Sequence, residues 1–466
     1  MAKCKICHKT YSTLSSAKRH ERETHGPKKI CPYCFRFYGR LNSHLSCCKK
    51  FHRYLLDKVK IVNGNLLFVD SKSSSTLTNP SKKLKSNMKK FNNYQRINFS
   101  DFYFSPKMKL GEGSFCNVFS GFNKKTGKEC AVKFFKNKSE DFENLKMEEH
   151  MLKNLKGIIS FPSLYYSSHK NLILIESLHG PNLKKLFLFC NKNFPLKTIC
   201  YIGIEMINRI QEFHSRGFIH RDVKPSNFAW GKFDENTNEL RNHILLLDYD
   251  LAGIYRTNES SHILFQKDEK IVGNLTFKSL AANYFITQTR RDDLESILYC
   301  LIYFFNGKLP WERENINIVY KRLNKKLLRK KSLNEKERES LIPKERIFLE
   351  FKKRIPVKKL CEGLPTEFEI LLTYCRDMTF QEEPDYELMK DLLKRVILNN
   401  SNNLEGDYKY IWEKKLVDIL NYPDDLRKIE LNQIKSQLFS GFNINLVKFI
   451  KSLKRLNLIN FKLLNK

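Results

Sequence analysis

From residue 101 to about residue 396 the chain alternates short apolar runs of strand period with longer stretches of helical period. A strand-like lead-in reaches Leu110, and CAVKFF around Lys133 reads as an apolar strand carrying one lysine. In FENLKMEEHMLKNL, Phe142, Leu145, Leu152 and Leu155 mark one helical face, and Glu148 falls within that stripe while Glu149 points away to solvent. A helix-like run ends at Gly217, and Ile244 to Leu247 predicts a buried strand. The longest apolar run, Ile297 to Phe305, is too short to cross a bilayer and predicts a buried helix. Residues 397–466 read as an Asn- and Leu-rich helical tail. Before residue 100 the pattern changes. KIVNGNLLFV sets Asn63-Gly64 between apolar runs, a hairpin signal, and residues 71–96 are Ser, Lys and Asn with little apolar content, a flexible linker.

Composition sharpens this division. The chain has 466 residues, 41% of them hydrophobic and 29% charged, which describes a folding chain and excludes wholesale disorder or a membrane-spanning bundle. Residues 1–100 hold 22 Lys+Arg against 4 Asp+Glu, so they carry +18 of the total +34. That concentration favours polyanions, with a solubilising tail as the plainer reading. Six of the 13 cysteines precede residue 50 and the other seven are scattered singly. In a reducing compartment the cluster reads as metal ligands and the singles as core residues. Met1 to Thr10 lacks the apolar stretch of a secretory signal, and KKLKSNMKK at 82–90 resembles a nuclear-localisation run, so the expected location is nuclear and/or cytoplasmic.

Cys4, Cys7, His20 and His25 are spaced C-x2-C-x12-H-x4-H, which presents two thiolates and two imidazoles tetrahedrally to Zn2+. With Tyr11 and Ala17 as its small core, this segment resembles a C2H2 zinc finger. Docking as that family does implies that Thr13, Ser16 and Arg19 face bases, while the alternative is a zinc staple used for protein contact. Cys31, Cys34, His44 and Cys48 follow, resembling a C2HC finger with a shortened loop, with Cys47 and His52 as competing fourth ligands. Two fingers and a basic linker predict salt-sensitive, weakly specific nucleic-acid binding through residues 1–100.

The chemistry beyond residue 100 lies in a set of ordered motifs. LGEGSFCNV at 110–118 places Gly111 and Gly113 where backbone can approach phosphates closely. A carboxylate on the buried side of a helix needs a cation, so Glu148 is expected to pair with Lys133 and orient it toward an α/β-phosphate. IHRDVKPSNFAW at 219–230 contains His-Arg-Asp with Asn227 five residues beyond Asp222, so one short loop carries a base and a metal ligand. The strand from Ile244 delivers Asp248, the expected main Mg2+ ligand, and Lys224 is placed to neutralise a transferring phosphoryl group.

These residues make the chain resemble a eukaryotic protein kinase. VKPSNFAWG and LKMEEHMLKNL look most like tau-tubulin kinases, and RRDDLES, LPWE, GLPTEF and PDYELM match the casein kinase 1 superfamily more generally. The resemblance implies an α+β, bilobal fold with a β-rich first lobe and a helical second lobe. It also implies ATP and Mg2+ as cofactors, protein substrates, and serine/threonine specificity from Lys224. Carried over, the family layout makes Ile175 the gatekeeper, Glu176 to Leu178 the adenine-contacting hinge, Val118 a nucleotide contact, and Asp293 a brace for the catalytic loop. The expected organisation is a finger at 1–27, a second at 28–52, a basic linker at 53–100, a kinase domain at 101–396 and a helical tail at 397–466.

The chain departs from the family in several places. Cys116 stands where a third loop glycine is usual, which implies a weaker phosphate grip. Asp-Tyr-Asp at 248–250 replaces Asp-Phe-Gly, so Asp250 either points into solvent or comes close enough to recruit or misplace a cation. FKSLA at 277–281 replaces Ala-Pro-Glu, as in the superfamily, and residues 313–356 look like a surface insertion. The rival readings are a pseudokinase scaffold, and a nucleic-acid-binding or adaptor protein acting through its fingers.

Overall fold

The computed structural model describes residues 97–99, 101–113, 115–136, 141–231, 243–256, 261–266, 273–284, 286–324, 344–400 and 408–438, parts of 446–454, and short paired strands elsewhere. All eight expected zinc ligands and the basic run at 82–90 lie outside the described residues. Val59–Val62 pairs antiparallel with Asn65–Phe68, the pairing predicted across Asn63-Gly64.

Strands β1 (Ile97–Phe99), β2 (Phe102–Glu112), β3 (Cys116–Asn123), β4 (Glu129–Phe135), β5 (Leu164–Ser168) and β6 (Ile173–Ser177) form one antiparallel sheet in the order β5-β6-β4-β3-β2-β1. Strand alternation divides its side chains between two faces. Phe102, Phe104, Cys130, Val132, Ile173 and Ile175 form a separate buried cluster on one face. Ala131 and Leu174 join the main core on the other, where helix α1 (Asp141–Asn154) brings Leu145, Met151 and Leu152. The predicted stripe on α1 is therefore the buried face.

The second lobe is helical, and its longer helices are α2 (Leu196–Ser215), α3 (Arg290–Asn306), α4 (Arg313–Leu323), α5 (Lys344–Arg354), α6 (Thr366–Asp377), α7 (Tyr386–Asn399), α8 (Ile411–Asp418) and α9 (Asp424–Gln437). α3 contains the long apolar run and is buried on nearly every side. It starts at a Thr289–Asp292 capping box and stops at Gly307, whose φ of 71° is the left-handed cap conformation. The short strands between α2 and α3 include β7 (Phe218–Ile219), β8 (Phe228–Trp230), β9 (Ile244–Leu246) and β10 (Gly253–Ile254), paired β7 with β10 and β8 with β9. The seven single cysteines are all buried, as expected of core residues. Among the described residues no helix is long and apolar enough to cross a membrane.

Two expectations about segment boundaries change. The 313–356 segment is not wholly a surface insertion, because Ile316 on α4 and Ile347, Phe348 and Lys352 on α5 are buried. The Lys352 ammonium donates to the carbonyls of Leu275 (2.7 Å) and Lys278 (2.5 Å) and lies 5.3 Å from the ring centres of both Tyr299 and Trp311. It ties the segment after Gly273 to the lobe, and burial pushes its own pKa well down. The tail likewise joins the core: α7 runs straight through residue 396, and Tyr410 stacks on Trp412 at 4.4 Å. Trp412 packs on Phe194 (5.4 Å) and edge-on against Trp230 (6.1 Å), while Phe449 covers another side of Trp230 at 5.6 Å. The apolar residues of the tail pack into the core of the second lobe.

Trp412→Ala should therefore destabilise the protein by about 3–5 kcal/mol, the usual range for emptying a large buried aromatic site. The midpoint of denaturant unfolding measures this, and an unchanged midpoint would show that the tail is not part of the core.

Candidate active site

The turn from β2 to β3 brings the phosphate-loop residues onto the sheet. Gly111 pairs with Val118, and Val118 pairs with Lys133, so all three lie side by side across neighbouring strands. The Gly113 amide donates to the Cys116 carbonyl at 2.8 Å, closing the turn. Cys116 is buried, and burial raises its thiol pKa, which makes it a packing residue rather than a nucleophile.

Lys133 and Glu148 form the expected pair, with the lysine donating to Glu148 Oε1. A second carboxylate, Glu176 Oε1, lies 3.0 Å from the same ammonium. All three groups are buried. Burial alone would push Lys133 down, but the fields of Glu148, Glu176 and Asp248 hold it well above the ordinary lysine value. Burial pushes Glu148 up to about 7, and Glu176 is raised from the same cause. These directions agree physically, because one positive charge cannot neutralise two buried carboxylates.

This arrangement corrects the reading of the strand end. Ile175 belongs to the cluster on the far face of the sheet, and strand alternation turns its neighbour Glu176 toward Lys133. The side chain at the back of the cleft is Glu176, not Ile175, and it is engaged with the lysine. Leu178 is buried against the main core. Glu149 is not solvated as expected: it is mostly covered, with Ser167 donating at 2.6 Å, His169 Nε2 at 2.6 Å and Lys153 at 2.7 Å. Those partners hold its pKa at about 2 against the opposing effect of burial.

The loop after β7 hangs on α3. Both oxygens of buried Asp293 accept backbone amides, Oδ2 from His220 at 2.7 Å and Oδ1 from Arg221 at 2.9 Å. His214 Nε2 lies 3.0 Å from the same Oδ2. Burial would raise the Asp293 pKa, but His214 and His220 hold it below the usual carboxylate value. Arg221 adopts a left-handed φ of 64°, and its guanidinium donates to the carbonyls of Leu251 (2.7 Å) and Ala252 (3.0 Å). Asp222 follows, with Lys224 Nζ donating to Oδ2 and the Asn227 amide nitrogen donating to its carbonyl at 3.0 Å.

His220 Nε2 lies 3.0 Å from the Leu247 carbonyl, and the Leu247 amide donates to the Asn227 carbonyl at 2.8 Å. These contacts bring Asp248 to the loop. Asp248 has a φ of 70°, strained for a residue with a side chain. Tyr249 points inward, stacking on Phe213 at 5.5 Å and donating its hydroxyl to the Leu246 carbonyl. Asp250 is buried, which removes the option of a carboxylate in bulk solvent. Burial, followed by the fields of Asp248 and Glu148, pushes its pKa up to about 9.

Two further residues were not anticipated. The Asn274 amide donates to Asp222 Oδ1 at 2.8 Å, and Gly273 beside it has a φ of +90°. A Cβ on Gly273 would sit 2.2 Å from the Arg221 carbonyl oxygen, so no side chain fits there. The isolated Gly-Asn pair gave no local signal, whereas Glu176 did: a carboxylate in the apolar run ILIES raises the same question as Glu148 on its helix.

The donor set suits Mg2+. The Asn227 amide nitrogen is committed to Asp222, which leaves its Oδ1 as an acceptor, and Asp248 adds hard carboxylate oxygens. Among the described residues no group of three or more His, Cys, Asp or Glu is arranged to hold a metal. A cation held by one or two protein ligands together with substrate phosphates needs no such group. Residues 104–400, well over half of the chain, match the family model of the protein kinase domain.

Gly273→Ala should lower turnover more than tenfold, because the added methyl forces Arg221 and the neighbouring Asp222 apart. A binding isotherm for the nucleotide should stay nearly unchanged, since a Cβ on Gly273 meets Arg221 and Asp222 and not Lys133 or the Gly111–Gly113 turn. Full activity in this variant would show that the close approach is dispensable.

Proposed function

The chain belongs to the protein kinase family, and from that premise we propose that it transfers the γ-phosphate of ATP to serine and threonine hydroxyls of proteins. The family implies ATP, Mg2+ and protein substrates. The observation that carries the reading is the single hydrogen-bonded loop in which Asp222, Lys224 and Asn227 meet beside Asp248. Asp222 accepts or orients the proton of the acceptor hydroxyl, fixed by Asn274 on one oxygen and Lys224 on the other. Lys224 offsets charge on the phosphoryl group in flight, and Lys133 grips the α- and β-phosphates below the Gly111–Gly113 turn. Asn227 and Asp248 would hold Mg2+, which supplies charge neutralisation on the phosphate oxygens. Catalysis here is positioning and electrostatics, with little covalent chemistry.

The serine/threonine assignment rests on Lys224 and on the resemblance to the casein kinase 1 superfamily. The amino-terminal segment is read as two zinc fingers that localise the enzyme, from the spacing of Cys4, Cys7, His20 and His25 and of Cys31, Cys34, His44 and Cys48.

Purified protein with ATP and Mg2+ should phosphorylate serine and threonine in protein substrates, as read by phosphoamino-acid analysis. Lys133→Met, Asp222→Asn and Asp248→Asn should each reduce transfer by about a hundredfold or more. Asp250→Gly should raise activity or lower the Mg2+ requirement. Wild type as inactive as Asp222→Asn on both acidic and basic substrates would refute the enzyme.

Zinc analysis of the full chain should give two equivalents, one if the second unit does not bind, and none if the finger reading is wrong.

A further inference from the structure

We propose that Glu176 is a second anchor for Lys133, holding the phosphate-gripping lysine in place from the sheet independently of helix α1. The inference deepens the kinase reading and rests on it for the role of Lys133.

Lys133 receives two carboxylates from different structural origins. Glu148 comes from α1, which is joined to the sheet by side-chain packing, whereas Glu176 comes from β6, hydrogen-bonded to β4 through five successive residue pairs. In that register Ala131 faces Glu176 and Lys133 faces Leu174, so Lys133 and Glu176 are diagonal neighbours on one face. Their separation is set by the sheet and does not change if α1 shifts.

The second carboxylate is a burden unless it acts on the lysine. Its Oε2 is buried and finds no hydrogen-bond partner among the described residues, while Oε1 is committed to Lys133. A half-satisfied buried carboxylate is unfavourable, and an apolar side chain of similar volume would remove the penalty. Helix α1 needs no help from Glu176 to pack, since Leu145, Met151 and Leu152 already fill its inner face. Among the described residues, the group that Glu176 contacts is the Lys133 ammonium. When Glu148 is lost or withdrawn, Glu176 keeps a counter-charge beside Lys133 and prevents the lysine from being left buried and unpaired. Glu176 is a positioning residue, acting on phosphate through Lys133.

The test compares full-length wild type with Lys133→Met, Glu148→Gln, Glu176→Gln and the double Gln variant, measuring kcat, KM for ATP and nucleotide affinity. Glu148→Gln should stay within about tenfold of wild type in kcat/KM. The double variant should fall about a further hundredfold, to the level of Lys133→Met, with much of the loss in KM. Glu176→Asp should restore part of the activity in the Glu148→Gln background. The inference is overturned if Glu148→Gln alone matches Lys133→Met, or if adding Glu176→Gln changes nothing. A cycle of unfolding constants for Lys133→Met, Glu176→Gln and both needs no catalysis. Coupling of about fivefold or more supports the contact, and independent effects overturn it even if the wild type proves inactive. Inactive wild type with coupling intact would instead count against the kinase reading while leaving the anchor standing.

Discussion

The carboxylate of Asp293, buried in the second lobe on α3, accepts the amides of His220 and Arg221 with its two oxygens. Most of the site geometry follows from this one contact. The two bonds, with the guanidinium contacts to Leu251 and Ala252, hold Arg221 in a left-handed conformation that a side-chain-bearing residue avoids by about 1–2 kcal/mol. That turn sets the direction of Asp222. From Asp222 the constraint passes to Asn227 and Lys224 by hydrogen bonds, and from His220 to the Leu247 carbonyl and so to Asp248. The capping box at Thr289 and Asp292 starts the helix next to Asp293, so the brace is itself rigid.

On the sheet side the governing fact is that a lysine has been taken out of water. Its charge is retained because carboxylates surround it, and they in turn are retained because it is there. Such a cluster is high in stakes: removing the lysine leaves two buried carboxylates without their cation in a low-dielectric site. The same electrostatics extend to Asp250, where a fourth nearby carboxylate, added where the family usually has glycine, is pushed toward its protonated form by burial and by Asp248. Tyr249 between them is held by stacking on Phe213, so the segment keeps its inward path despite the substitution.

Much of this was legible because buried charge and periodicity are local properties. The apolar stripe on α1 pointed Glu148 inward, and Lys133 in an apolar strand was the available cation. The same logic applied to ILIES would have found Glu176. Glu176 was expected as a hinge residue and not as a partner of Lys133, because a strand of five residues can be placed with either face inward, and only pairing with β4 decided that Ile175 faces away. Glu149 was expected in solvent because it points away from the apolar stripe of its helix. Ser167 and His169 come from residues on or beside β5, far along the chain. The 313–356 segment was read as a surface insertion from its polar composition, yet a few apolar positions on it, such as Phe348, suffice to join the core, as Trp412 does from the helical tail.

By itself the sequence determined the alternation of elements, the lysine–glutamate pair and the loop that carries Asp222, Lys224 and Asn227, since each depends on spacing within one element or one loop. It also determined which cysteines would be core residues, because single cysteines in a reducing setting have little else to do than pack. Tertiary structure alone decided which carboxylates share Lys133, how close Gly273 lies to the Arg221 carbonyl, and where Trp412 seats. Those are contacts between segments tens to hundreds of residues apart. Their distances are set by how sheet and helices pack, which no local pattern specifies.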